Sequence, residues 1–377
     1  MAPITGHCDP RFAAVEEAFR ANFDERGEVG AAVCVRLRGE TVVDLAGGWA
    51  DAAFRTPWTL DTVVDVYSVG KAVIGTLALQ LVDEGLLDLD APLGEVWPEL
   101  AAGGTERATL RHALSHRAGL PAIAEPLTDD DLWDWDRMCA ALAATPAWFA
   151  PGSRHVYHVN TYGHLLGEVV RRATGATPSE RLAAVTEPLG LDLWFGVPDH
   201  ALDRCADVLW ASPSGGPRPD PETLDHESRM NLLAHFNPPG YSSIGVVNSP
   251  QWRAAVVPST NSHASARAIA GLYAALLEPG RVLSGEVLAE ATTPQSVGPC
   301  PILGEDVSFG LGFQPTTARR PLGPNPRSFG HFGSGGALGY ADPDSGVAFG
   351  YVMNHLIPRW QSSRNRALID ALHGCLA

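Results

Sequence analysis

Strand-like runs lie at both ends of this chain and helical patterns fill its middle, and that order constrains the fold more than any other feature. Asp9-Pro10 opens a helix with proline at its first position, and Phe12, Val15, Phe19 and Phe23 form one apolar stripe along it. Residues 31–37 and 41–45 read as strands around the turn Arg38-Gly39-Glu40, and 54–62 read as irregular. A helix starts at Ser68 and runs to about Glu84, with Val73, Leu77 and Leu81 on one face and Gly85 at its stop. From about 100 to 290 the patterns are helical, at 110–116, 131–144, 161–173 and 264–277. Loops rich in proline and glycine divide them, Ser212-Pro213-Ser214-Gly215-Gly216-Pro217-Arg218-Pro219 being the clearest. Strand patterns return at 337–340 and 347–353 around the turn Asp342-Pro343-Asp344-Ser345-Gly346, and a helix over 364–373 closes the chain. A sheet built from both chain ends, with a helical insert, is an α+β arrangement. The expected division is a sheet domain from 1–98 and 291–377 and a helical insert domain over 99–290, with the site in the cleft between them.

Of the 27 Lys+Arg residues only one, Lys71, is a lysine. Arginine serves for surface charge and salt bridges but cannot lose its proton. A lone lysine in an arginine background therefore marks a place that needs an amine able to become neutral, although the bias itself also fits a GC-rich genome. Lys71 stands three residues after Ser68 in Tyr67-Ser68-Val69-Gly70-Lys71. With Ser68 at a helix start, the helix N-terminus offers positive potential and free N–H groups to a developing oxyanion, and Lys71 lies one turn on, within reach of Ser68. A desolvated lysine has a lowered pKa and can help activate serine.

Two further stretches carry chemistry. Tyr157, in His155-Val156-Tyr157-His158-Val159-Asn160-Thr161, follows Pro151-Gly152-Ser153 and so sits in a loop before a helix. It reads either as a tyrosinate acting as general base beside Lys71 or as a core tyrosine packed by its ring. Gly330-His331-Phe332-Gly333-Ser334-Gly335-Gly336 is a glycine-rich strand entry. It suits close backbone approach to a ligand, or a tight bulge.

Together these elements, in this order, resemble the serine β-lactamase and penicillin-binding protein superfamily, and within it the class C branch and the family VIII carboxylesterases. The likeness extends to Thr109-Leu110-Arg111-His112-Ala113-Leu114-Ser115-His116-Arg117-Ala118-Gly119-Leu120 and to residues 259–277, and so spans nearly the whole chain. The resemblance implies that Ser68 is the acylated nucleophile and that Lys71 and Tyr157 form the proton-transfer pair. It also implies an oxyanion hole from the N–H groups of Ser68 and Ser334, with His331 and Gly333 beside the substrate. It places His112 and His116, four residues apart, in a structural segment rather than at a metal.

The departures from the family pattern favour esters. Lactamases carry asparagine two residues after the tyrosine, where this chain has Val159. They also carry Lys-Thr-Gly where it has His331-Phe332-Gly333. A permanent charge for a substrate carboxylate and an amide for a substrate amide are both lost, and neutral esters need neither. The expected activity is a serine carboxylesterase hydrolysing small or medium acyl esters through an acyl-enzyme, with room for weak β-lactamase activity. Alternatives are an acyltransferase or lactone/amide hydrolase, a class C-like β-lactamase or D-Ala peptidase, and a catalytically silent sensor.

The remaining properties exclude classes. A formal net charge of −16 and a pI near 5.2 speak against nucleic acid and anionic membrane as partners. No apolar run is long enough to span a bilayer. Cys8, Cys34, Cys139, Cys205, Cys300 and Cys375 are scattered with no Cys-x-x-Cys pair, as expected of reduced thiols. With no basic-then-apolar start at Met1, the expected location is the cytoplasm. No Gly-x-Ser-x-Gly elbow, His-Glu-x-x-His, P-loop or dinucleotide fingerprint occurs, so no metal and no cofactor are expected, and the partner is a small-molecule ester.

Overall fold

The computed structural model describes residues 3–210, 218–241, 245–357 and 360–376, so residues 212–217 of the expected proline-glycine loop lie outside the described residues. The fold is α+β. A seven-stranded antiparallel sheet runs in the order Ile4–Cys8, Glu40–Gly48, Gly30–Leu37, Val347–Met353, Leu338–Asp342, Phe329–Phe332, Gln314–Pro315. Its central pair joins the chain ends, with Val33 opposite Tyr351 and Val35 opposite Phe349. The expected hairpin is tighter than the sequence suggests: Leu37 pairs with Glu40, leaving Arg38 and Gly39 alone in the turn, both with positive φ. The edge strand Ile4–Cys8 is not legible in the sequence because Ile-Thr-Gly-His-Cys is only partly buried and shows no apolar alternation.

Alternation along the strands puts helices on both faces. On one face the Tyr340 hydroxyl meets His373 of the helix Ser363–Gly374, which packs beside Ala13–Glu25. On the other face the helix Ala266–Leu276 covers strands Val347–Met353 and Gly30–Leu37. This helix lies within the 99–290 stretch and packs directly on the sheet. Its residues are apolar nearly all round because they are sandwiched, and that pattern alone does not reveal which layer receives them. The middle of the chain also holds a short three-stranded sheet, Val64–Asp65, Ser262–Ala264 and Leu193–Phe195, and the helix Pro178–Leu189. The expected helix over 131–144 is in fact a 3₁₀ turn, Asp131–Trp133, followed by the helix Trp135–Ala143, because the Asp134 side chain caps Arg137 N–H at 2.9 Å.

The helix that positions the site, Val69–Asp83, is buried along nearly its whole length and ends at Gly85 with φ +70. It packs on Thr161–Thr174 and Pro178–Leu189 on one side and touches strand Phe329–Phe332 on another. Among the described residues no helix is long and apolar enough to cross a membrane.

Candidate active site

Ser68 caps the N-terminus of this central helix and is 5% exposed. Lys71, one turn further, is fully buried, and its Nζ lies 3.2 Å from Ser68 Oγ, 2.7 Å from the Val159 carbonyl and 2.9 Å from the Ser259 carbonyl. A neutral amine has two hydrogens and one lone pair. Two carbonyls take the two hydrogens, which leaves the lone pair for the Ser68 hydroxyl proton. Burial pushes the Lys71 pKa well below its ordinary value, so the neutral form is the one this environment favours.

Two glycines explain why carbonyls reach Lys71. A Cβ on Gly70 would sit 2.3 Å from the Pro258 carbonyl, and one on Gly163 would sit 2.6 Å from the Ser259 nitrogen. The segment 258–262 is thus wedged between the helices Val69–Asp83 and Thr161–Thr174, and its Ser259 carbonyl is driven onto the amine. The Ser259 hydroxyl, bonded to the Asn160 carbonyl at 2.6 Å, fixes it there.

Tyr157 joins this pair. Its ring lies 4.8 Å from Lys71 Nζ, stacks on Phe309 at 5.6 Å and meets the edge of Trp360 at 5.0 Å. Its hydroxyl is buried and has no hydrogen-bond partner among the described residues. Burial drives the phenol pKa above its ordinary value, and the nearby Ser68 hydroxyl and the Arg320 guanidinium only partly oppose that shift. Both sequence readings of Tyr157, a general base beside Lys71 and a ring packed in the core, fit this position, and burial favours the phenol form.

The third stretch lies alongside. His331 sits on strand Phe329–Phe332, is 1% exposed, and has Nδ1 2.7 Å from the Phe332 carbonyl. That contact requires the proton on Nδ1, which leaves Nε2 a bare acceptor, buried and unpartnered among the described residues. Burial lowers the His331 pKa to about 3, so it is neutral across the working range. Gly333 packs on the strand leading to Ser68, where a Cβ would meet the Val66 carbonyl at 2.3 Å. Its N–H is already bonded to the Ala337 carbonyl at 2.7 Å. The N–H groups of Ser68 and Ser334 have no acceptor among the described residues.

Several further residues hold the site in ways the sequence did not show. The His116 ring packs within 4.7 Å of Tyr157 and 4.6 Å of Tyr162, and its Nδ1 accepts the His158 N–H at 3.1 Å, which pins the Tyr157 loop. His116 has φ +62, so the helix Leu110–Leu114 stops there and the ring turns inward. His112 instead completes a capping box with Thr109, so the two histidines do separate structural jobs. Val159 and Ser259 contribute carbonyls, which no side-chain pattern announces. Asn160 Nδ2 donates to the Ala234 carbonyl at 2.9 Å and so faces away from Lys71.

The buried histidines carry a stability prediction. Burial lowers His158, His164 and His263 to about 4 and His331 to about 3. Below pH 6.5 the unfolded chain therefore binds protons that the folded chain refuses. The stability these rings contribute is full above that pH and falls as pH drops toward 4, by about 1.4 kcal/mol per pH unit for each such histidine, while Asp65 and Glu28, raised by burial to about 8 and about 7, act in the opposite direction over the same range. With four histidines against two acids, melting temperature should still fall from pH 7.5 to 4.5; a flat or rising profile would show these rings titrating freely.

A protein-family model described as Beta-lactamase matches residues 14–373. The chain is 35% identical to Esterase/beta-lactamase LipL of Mycobacterium tuberculosis over 94% of this chain and 83% of that protein. Among solved structures, a family VIII carboxylesterase superposes with a TM-score of 0.90 at 35% identity, covering 99% of this chain and all of that one. A penicillin-binding protein homolog from Caulobacter crescentus superposes with a TM-score of 0.89 at 39% identity, with 99% of this chain covered and 100% of that chain.

Proposed function

The chain belongs to the beta-lactamase family, and from that premise we propose that it is a serine carboxylesterase working through an acyl-enzyme on small or medium acyl esters. The single observation that carries the reading is the Lys71 amine, buried, facing Ser68 Oγ at 3.2 Å with two carbonyls on its other side. In this proposal Ser68 attacks the ester carbonyl and its proton passes to Lys71. The oxyanion is held by the N–H groups of Ser68 and Ser334. The alcohol leaves with a proton from the Lys71/Tyr157 pair, and water, deprotonated by the same pair, releases the acid.

Support for esters over β-lactam carboxylates comes from neutral His331 and from Val159, which offer no fixed cation and no side-chain amide. The Arg320 guanidinium is paired with Glu305 and lies 4.4 Å over the Trp360 ring. Turnover of p-nitrophenyl butyrate is expected to exceed that of a chromogenic cephalosporin by at least about 100-fold in kcat/KM, the size of effect of losing a charged and a hydrogen-bonding contact. Equal or faster cephalosporin turnover would reverse the assignment. Product analysis with added alcohol or amine separates hydrolysis from acyl transfer.

The same proposal places the enzyme in the cytoplasm, with nucleic acid and membrane excluded as partners on charge. Support comes from the six free cysteines and the acidic surface.

A further inference from the structure

The residue just before Ser68 holds a backbone conformation that side chains avoid: Tyr67 has φ +50. It is buried, 2% exposed, with no glycine's freedom to relieve it. What holds it is Asp65. The Tyr67 N–H donates to Asp65 Oδ1 at 2.8 Å, and Trp252 Nε1 donates to Asp65 Oδ2 at 2.9 Å. Asp65 is itself 1% exposed and Trp252 is fully buried.

This carboxylate has no cationic partner among the ion pairs of the described residues. A buried acid without a counter-charge is costly, and burial pushes its pKa up to about 8. Both its oxygens are nonetheless committed to N–H donors, one of them on the turn that delivers Ser68. Asp65 also lies on the short strand that pairs with Ser262–Ala264, and Val66 N–H bonds the Ser262 carbonyl at 2.8 Å. The turn is therefore tied to the segment that supplies the Ser259 carbonyl to Lys71.

We propose that Asp65 is a positioning residue: anchored by Trp252, it holds the Tyr67 N–H so that the chain stays left-handed there and the Ser68 hydroxyl faces Lys71. The inference rests on the reading of Ser68 as nucleophile. A displaced serine should react more slowly with any acyl or phosphonyl donor while binding substrate as before, because a misplacement near 1 Å can cost on the order of 100-fold in rate.

The test compares Asp65→Leu, which keeps the branched shape and removes the acceptor, with Asp65→Asn, which keeps an oxygen for Tyr67 N–H but turns an amide toward Trp252. Each variant is assayed for kcat and KM on p-nitrophenyl butyrate, for melting temperature, and for the rate and site of labelling by a p-nitrophenyl phosphonate. Asp65→Leu is expected to lose about 30-fold or more in kcat and in labelling rate, with KM within about threefold. Asp65→Asn is expected to melt lower than wild type yet to keep kcat within about fivefold. Wild-type kcat in Asp65→Leu, or Asp65→Asn as slow as Asp65→Leu, overturns the proposal, since a merely structural role makes activity follow stability. Should Asp65→Leu fail to fold, Asp65→Ala, with no side-chain acceptor for Tyr67 N–H, takes its place with the same two outcomes. Phosphonate found on a residue other than Ser68 overturns the nucleophile reading and this inference with it. Label on Ser68 at the wild-type rate in Asp65→Leu overturns the inference alone.

Discussion

Ser68→Ala should fold like the wild type and lose at least about 10⁴-fold in kcat on p-nitrophenyl butyrate. The hydroxyl removed is 5% exposed and spends no hydrogen bond that other elements need, apart from the contact with Lys71, so melting temperature should move little. KM should also hold, because the hydrophobic surroundings of the site and the free N–H groups of Ser68 and Ser334 survive the change. Residual activity should be that of an oxyanion hole acting on water. A variant that keeps more than about 1% of wild-type kcat would place the nucleophile elsewhere.

Lys71→Arg should be nearly as damaging, although it keeps the charge. The working state of Lys71 has a lone pair on Nζ, and guanidinium has none at any pH the fold tolerates. General-base contributions of this kind run to about 10²–10⁴-fold, and a loss of at least about 10³-fold is expected. A larger, permanently charged group must also enter a space now filled by the Val159 and Ser259 carbonyls and the Tyr157 ring, so some loss of melting temperature should accompany it. Lys71→Met, uncharged and of similar length, separates the two effects: it should fold well and be equally slow. The pH profile of the wild type checks the same point. Activity needs the unprotonated amine, so kcat/KM should fall as pH drops through a Lys71 pKa held well below the ordinary lysine value. His331 adds no second limb near pH 6.5, because it is neutral down to about 3.

Much of this was legible in the residues, and for identifiable reasons. Lys71 stood out because the rest of the chain uses arginine, and the helix it rides on has a clear stop at Gly85. The hairpin and the strand pair around residues 342–346 were readable from alternation and turn chemistry. What was not legible depends on backbone rather than side chains. The two carbonyls that orient Lys71 come from Val159 and Ser259, and a carbonyl leaves no mark in a sequence. The left-handed Tyr67 is hidden for the same reason: at such a position glycine is the readable signal, and here a tyrosine occupies it. The packing of Tyr157 against Phe309 and Trp360 is hidden too, since these contacts cross 152 and 203 residues of chain that no local pattern joins. The helix Ala266–Leu276 was readable, but a helix apolar on nearly all sides does not say what it is buried against.

The most direct measurement mixes the enzyme with p-nitrophenyl butyrate, quenches it in acid during turnover, and locates the butyryl group by peptide mass spectrometry in wild type and Ser68→Ala. A butyryl group on Ser68 in the wild type, and none on the variant, is the result this account predicts. An acyl group on another residue, or steady hydrolysis by Ser68→Ala, would contradict it.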